Sequence, residues 1–164
     1  MTATSLTRSQ VVAAPPERVW ATLAAFDQIS RWAANVDHSA YTTTRTEGVG
    51  TARRVQAGRI VLIETVVEWD PTTRLAYTLD GLPPLAKRVV NQWDLGPDAG
   101  DSDRTMATLT TLIEPSAGPR GRIGAKVLGR VLTKASAAML DGLAAHDHLA
   151  EDPRSPASEG PAHE

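Results

Sequence analysis

Residues 51–79 read TARRVQAGRIVLIETVVEWDPTTRLAYTL. Apolar and polar or charged side chains alternate with a period of two in 51–57 and 75–79, and the run between them is dense in Ile and Val. The breaks are short: Gly58 separates the first two runs and Asp70-Pro71 closes the second. Breaks of this length leave no room for crossover helices, so 51–57, 59–69 and 75–79 are predicted as antiparallel strands. Downstream, Asp80-Gly81 signals a turn, and 87–95 and 105–113 predict two further strands with a loop over 96–101. Upstream, 36–43 is rich in Thr and Tyr and precedes the turn Gly48-Val49-Gly50, while 6–12 alternates loosely.

Helical periodicity flanks this block. Pro15-Pro16 suits a first helical turn, and 16–25 follows with Val19, Trp20 and Leu23 on one face. A second short helix is predicted over 27–34, capped by Asp27 and presenting Ile29 and Trp32. After a loop over 115–121, residues 122–149 form one long segment without Pro. There Leu128, Val131, Leu132, Ala135, Met139, Gly142, Leu143, His146 and Leu149 recur at spacings of three and four, an apolar stripe that predicts a helix laid across the sheet. Gly124, Ala135, Ala138 and Gly142 near this stripe have two readings. Either the helix approaches its neighbours closely, or the missing volume belongs to a cavity.

The chain has 164 residues, 41% of them hydrophobic and 22% charged, with no cysteine and a net charge of −2. This length suits one domain, and the composition excludes collagen-like, wholly disordered and disulfide-scaffold classes. Thiolate metal sites and cysteine nucleophiles are excluded as well. The final fourteen residues carry three Pro and a net charge of −3, and are expected as a disordered tail after a folded unit over 1–150. The remaining residues are then nearly neutral, which argues against an extended nucleic-acid groove. The longest apolar run, Ile60 to Ile63, is far short of the ~20 residues that span a bilayer, so no integral membrane segment and a cytoplasmic location are expected. Only four Trp, two Tyr and one Phe serve the whole domain, so Val, Leu, Ile and Ala must build most of the core.

The phrases Val12-Ala13-Ala14-Pro15-Pro16-Glu17-Arg18-Val19-Trp20, Gly48-Val49-Gly50-Thr51-Ala52-Arg53, Glu64-Thr65-Val66-Val67-Glu68-Trp69-Asp70-Pro71 and Gln92-Trp93-Asp94-Leu95, in this order of elements, carry a resemblance. The chain resembles the START-like, or SRPBCC, helix-grip superfamily in its polyketide cyclase/dehydrase branch, over about residues 5–149. The resemblance implies an α+β fold in which a curved antiparallel sheet of about seven strands wraps a long C-terminal helix, with two short helices after the first strand. It also implies a cavity between sheet and helix that takes up a small hydrophobic molecule, a lipid or a polyketide. One fold serves several activities there, so function must be argued from the site.

Glu64 interrupts an apolar strand, and Arg53 on the preceding strand stands where it can pair with Glu64 across the hairpin. A buried Arg–carboxylate pair is either structural or polarises a ligand carbonyl. The candidate cavity residues are Trp32, Arg53, Glu64, Val66, Tyr77, Arg88, Trp93, Met139 and Leu143; Asn91 and Gln92 are further polar candidates. No pair stands at a catalytic spacing. The four His residues share no ligand spacing, so neither a metal nor another cofactor is expected. Arg120, Arg122, Lys126 and Arg130 make the start of the long helix basic, against its dipole; they are either solvated and paired with acidic loop residues or in contact with the anionic head group of a ligand or an acidic partner. Three functions follow as expectations: a binder of small hydrophobic ligands, a cyclase or dehydratase using the same space, and a cochaperone-like interaction module. A cavity above ~300 Å3 with an inward Arg53, Glu64 or Tyr77 keeps the first two alive and a filled interior sinks both, whereas an absent cavity with an exposed apolar patch on the sheet marks the third.

Overall fold

The computed structural model describes residues 3–149; the expected tail lies outside them. Strand β1 (Thr4–Val12) leads through Pro15 and Pro16 into helix α1 (Pro16–Ala24), and a short 3-10 helix (Phe26–Arg31) follows. Strands β2 (His38–Tyr41), β3 (Ala52–Ala57), β4 (Ile60–Asp70), β5 (Arg74–Asp80), β6 (Ala86–Asp98) and β7 (Asp101–Pro115) come next, and helix α2 (Gly118–Leu149) closes the chain. The seven strands form one antiparallel sheet in the order β1-β7-β6-β5-β4-β3-β2. This is the helix-grip fold that the resemblance implied, with the antiparallel strands and long last helix that the turns and periodicity predicted.

The register of the ladder decides which side chains meet. In the β3–β4 hairpin Arg53 stands opposite Glu64, and in β4–β5 Glu64 stands opposite Leu79 and Val66 opposite Tyr77. Strands β5 and β6 pair only from Arg74↔Asp94 to Thr78↔Val90. Beyond Thr78, β5 stays with β4 as far as Asp80 and parts from β6. The sheet therefore splits near the Gly81–Leu85 connection. Gly81 is required there: its φ is +103°, and a Cβ would stand 2.7 Å from the Val61 carbonyl oxygen.

Alternate residues of the strands face α2. Leu75, Tyr77, Val89, Trp93, Leu109 and Ile113 are buried on this face with Val19, Phe26 and Ile29 from the short helices and Leu128, Met139 and Leu143 from α2. Helix α2 lies on β1 and β7, where Gly129 rests against Leu6 and Ile113. The small residues of α2 mark close approach. A Cβ on Gly142 would stand 2.0 Å from the Trp32 carbonyl oxygen, and one on Gly124 would stand 3.0 Å from Leu85.

Four expectations need correction. The second short helix is a 3-10 turn over Phe26–Arg31 rather than a helix over 27–34. The β6–β7 ladder runs on through the expected loop, with Pro97 opposite Thr105 and Asp98 opposite Asp101, and turns only at Ala99 and Gly100, both at positive φ. Helix α2 starts at Gly118, inside the expected 115–121 loop. On α2 itself Val131 is 58% exposed and His146 is exposed, while Asp147 points inward. The helical period tolerates a rotation of one residue at either edge of a stripe, and composition alone cannot assign those edges.

Candidate functional site

The β3–β4 hairpin carries a charged pair into the interior. Arg53 and Glu64 are 2% and 5% exposed, and Arg53 Nε donates to Glu64 Oε2 at 2.6 Å, with Nη2 at 2.6 Å from the same oxygen. Nη1 donates to the Phe26 carbonyl, which ties the 3-10 helix to β3. The guanidinium carbon lies 3.7 Å over the centre of the Phe26 ring and 5.1 Å from that of Tyr77. A pair this deep survives only with its remaining polar edges matched, and the carbonyl and the two aromatic faces supply that.

Tyr77 and Trp93 extend the cluster along the sheet. The Trp93 indole N–H donates to the Tyr77 hydroxyl at 3.3 Å, and Asn91 also lies within hydrogen-bonding reach of that hydroxyl. Burial pushes the Tyr77 phenol up to about 12, with the Glu64 charge adding to the shift and Arg53 opposing it. At neutral pH Tyr77 is a neutral hydrogen-bonding group and is no base. Trp32 closes the cluster at the end of the 3-10 helix, edge-on to Trp93 with ring centres 6.1 Å apart. Trp32 is 8% exposed, and its indole N–H has no partner among the described residues.

Leu23, Phe26, Ile29, Trp32, Arg53, Leu75, Tyr77 and Trp93 close on one another and leave no room between them for a water molecule. The ligand-sized cavity expected around these residues is therefore absent from this part of the interior. The open cleft nearest the cluster lies where the sheet splits. A cleft of about 620 Å3 is lined there by residues of both faces, among them Leu79, Leu82, Val89, Arg88 and Glu114. Leu79 is also the register partner of Glu64, so the cleft and the charged cluster share a wall.

The structure thus brings together Trp32, Arg53, Glu64, Tyr77 and Trp93, with Val66 buried beside Tyr77. Met139 and Leu143 are buried on α2 as core residues. Arg88 does not join them: it is exposed and lines the cleft, because its strand position faces away from α2. Gln92 faces outward too and donates to Asp94. Sequence reasoning did not single out Phe26, whose carbonyl and ring both engage Arg53. It also missed a buried polar chain in which Thr111 donates to Asn91 at 2.7 Å and lies 3.3 Å from Ser136 of α2. The small hydroxyl residues of β7 and α2 gave a composition signal for this chain but no pairing. Among the described residues no group of His, Asp and Glu is arranged to hold a metal.

A family model described as polyketide cyclase/dehydrase and lipid transport matches residues 3–146. The zhui aromatase/cyclase from Streptomyces sp. R1128 superposes with a TM-score of 0.74 at 20% identity, covering 90% of this chain and 94% of that one. A protein from Thermobifida fusca gives a TM-score of 0.74 at 27% identity, over 90% and 95% of the two chains. One from Thermus thermophilus gives 0.71 at 21% identity, over 90% and 99%. No curated protein matches.

Proposed function

Since the chain belongs to the polyketide cyclase/dehydrase and lipid-transport family, we propose that it binds a small apolar molecule bearing a hydrogen-bond acceptor, seated on Trp32, Arg53 and Tyr77 and reached through the β5–β6 cleft. The observation that carries this reading is the buried Trp32 indole N–H, without a partner among the described residues, on the same cluster as the Arg53 guanidinium. An unpaired buried donor costs about 1–3 kcal/mol, and a ligand oxygen at that position removes the cost. The aromatic rings suit a flat or chain-like apolar body.

The interior is closed around these residues, so binding requires side chains to move. The 3-10 helix is the element suited to this, since its hydrogen bonds are poorer than those of an α-helix. Apparent affinity is then the intrinsic affinity scaled by the fraction of open molecules. Binding is favoured over turnover because the cluster offers no free base: Glu64 is engaged by Arg53 and Tyr77 stays protonated. An interaction module is the second reading, favoured by the closed interior together with exposed aliphatic residues on β4 (Ile60, Val61) and α2 (Val127, Val131).

Thermal shift and titration calorimetry with palmitate and with anthraquinone, an apolar acid and a planar aromatic ketone, test the first reading. At least one should raise Tm, and Trp32→Phe should weaken that binding by about two- to tenfold, the worth of one neutral hydrogen bond. Unchanged affinity in Trp32→Phe would remove the indole N–H from the site. No shift with either probe, in a chain from which native mass spectrometry also finds nothing co-purified, would sink the ligand-binding reading.

A further inference from the structure

The start of α2 carries two parallel rows that the interior does not use. Ile123, Val127 and Val131 recur every four residues and are 65%, 51% and 58% exposed. Lys126, Arg130 and Lys134 recur at the same spacing in the adjacent row, and all three are exposed. Arg120 and Arg122 precede them, and from residue 118 to residue 140 the helix contains no acidic residue. None of these five cations is in an ion pair among the described residues, although Arg53, Arg74, Lys87 and Arg104 are. Beside the rows, the Leu82-Pro83-Pro84-Leu85 connection rests on α2 through Leu85 and Gly124, and the β5–β6 cleft opens at its base.

We propose that this face of α2 docks the protein on an anionic phospholipid surface, with the three aliphatic side chains entering the head-group boundary and the basic row contacting lipid phosphates. Aliphatic and basic rows that are adjacent and parallel to the helix axis can both reach one plane, as an interfacial helix requires. The aliphatic row spans about 12 Å along that axis, so the contact is peripheral. Among the described residues no helix is long and apolar enough to cross a membrane.

Charge decides between the other occupants. A second copy meeting this face about a two-fold axis would oppose five cations with five cations. Residues 150–164 hold no Val, Leu, Ile, Met, Phe, Tyr or Trp to cover the aliphatic row. Nucleic acid would satisfy the cations but would leave Val127 and Val131 against phosphates. The proposal is independent of the ligand seat, since it uses no residue of that cluster.

Co-sedimentation of the full chain with vesicles tests it, comparing pure phosphatidylcholine with phosphatidylcholine mixed with phosphatidylglycerol. Binding is expected to the mixed vesicles only and to fall as salt rises. Each basic residue near an anionic surface is worth roughly a factor of five, so Lys126→Glu/Arg130→Glu/Lys134→Glu should weaken binding at least ~100-fold. Val127→Asp/Val131→Asp, with every cation kept, should also release the protein; both sets are exposed, and unchanged thermal melts verify folding. Equal binding to both vesicle types overturns the proposal, as does full binding by the aspartate variant. Retention by polyglutamate or DNA without any vesicle binding overturns it too, and assigns the face to an acidic macromolecule.

Discussion

Arg53 and Glu64 show at the residue scale how a buried charge becomes tolerable. Removing one partner leaves the other uncompensated, so Arg53→Met or Glu64→Leu alone should cost about 3–5 kcal/mol. The double variant restores neutrality in an aromatic setting and should lie well above the sum of the singles. Chemical denaturation of the four proteins gives the coupling energy, and simple additivity would mean that the pair is not the interaction seen here. Asp147 presents the opposite problem. It is 1% exposed, accepts from the Thr22 hydroxyl at 2.7 Å through one oxygen, and its other oxygen has no hydrogen-bond partner among the described residues. Desolvation raises its pKa, and the Thr22 bond and the charges of His146 and Arg18 oppose the rise. A raised carboxyl pKa means that the folded chain holds its proton more tightly than the unfolded one. The associated stability is therefore full below the ordinary carboxylate range and is lost as pH rises through the folded value. Asp147→Asn mimics the protonated form and keeps the Thr22 bond, so its Tm should match the parent below the ordinary carboxylate range and exceed it at higher pH, the gap levelling off above the folded value. A constant difference across that range would show that ionisation is not involved. Of these residues, the Arg53–Glu64 pair was legible in the sequence because a hairpin register fixes which side chains face each other. Asp147 was not, because it shares an edge of the helical stripe with His146 and only packing against Thr22 separates them.

Elements divide in the same way. Period-two segments and short turns gave the positions along the chain and the antiparallel sense of the strands, since these depend on local chemistry and connection length. The split between β5 and β6 had no such signal, as it follows from where β5 parts from its neighbour while staying with β4. The small residues of α2 left close approach and cavity both open, and the structure shows close approach at Gly124 and Gly142. Gly142 and Gly129 make a controlled pair within one helix. Ala is favoured over Gly in a helix by about 1 kcal/mol, so Gly129→Ala, whose Cβ would meet Leu6 at 3.6 Å and Ile113 at 3.8 Å, should stabilise by up to that amount. The same change at Gly142 sets a Cβ 2.0 Å from the Trp32 carbonyl oxygen, where both sides are backbone. Overpacking of this kind costs about 1–3 kcal/mol or more, which outweighs the propensity gain. Gly142→Ala should therefore lower Tm and change Trp emission through Trp32 and Trp93. If both variants move Tm in one direction, α2 does not press on the Trp32 segment.

For the whole molecule, the scarcity of aromatic residues predicted a core built mostly of aliphatic side chains. Most of the few rings were instead gathered at one end of the interior, where Phe26, Tyr77, Trp32 and Trp93 close over Arg53. Composition counts rings but cannot say that they cluster, and clustering is what fills this space. The consequence reaches function through kinetics. If a ligand is to occupy the cluster, the 3-10 helix and Trp32 must first leave it, and the open state is a minority. Ligand association in stopped-flow Trp fluorescence should then follow the ligand concentration at the low end and level off at the opening rate. Gly142→Ala, by pressing on the Trp32 backbone, should raise that plateau while lowering Tm, because it destabilises the closed state more than the open one. A rate that stays linear up to the mixing limit would mean that ligand meets a site already open. The seat would then lie in the β5–β6 cleft, with Leu79 as its inner wall and the aromatic cluster as a rigid support behind it.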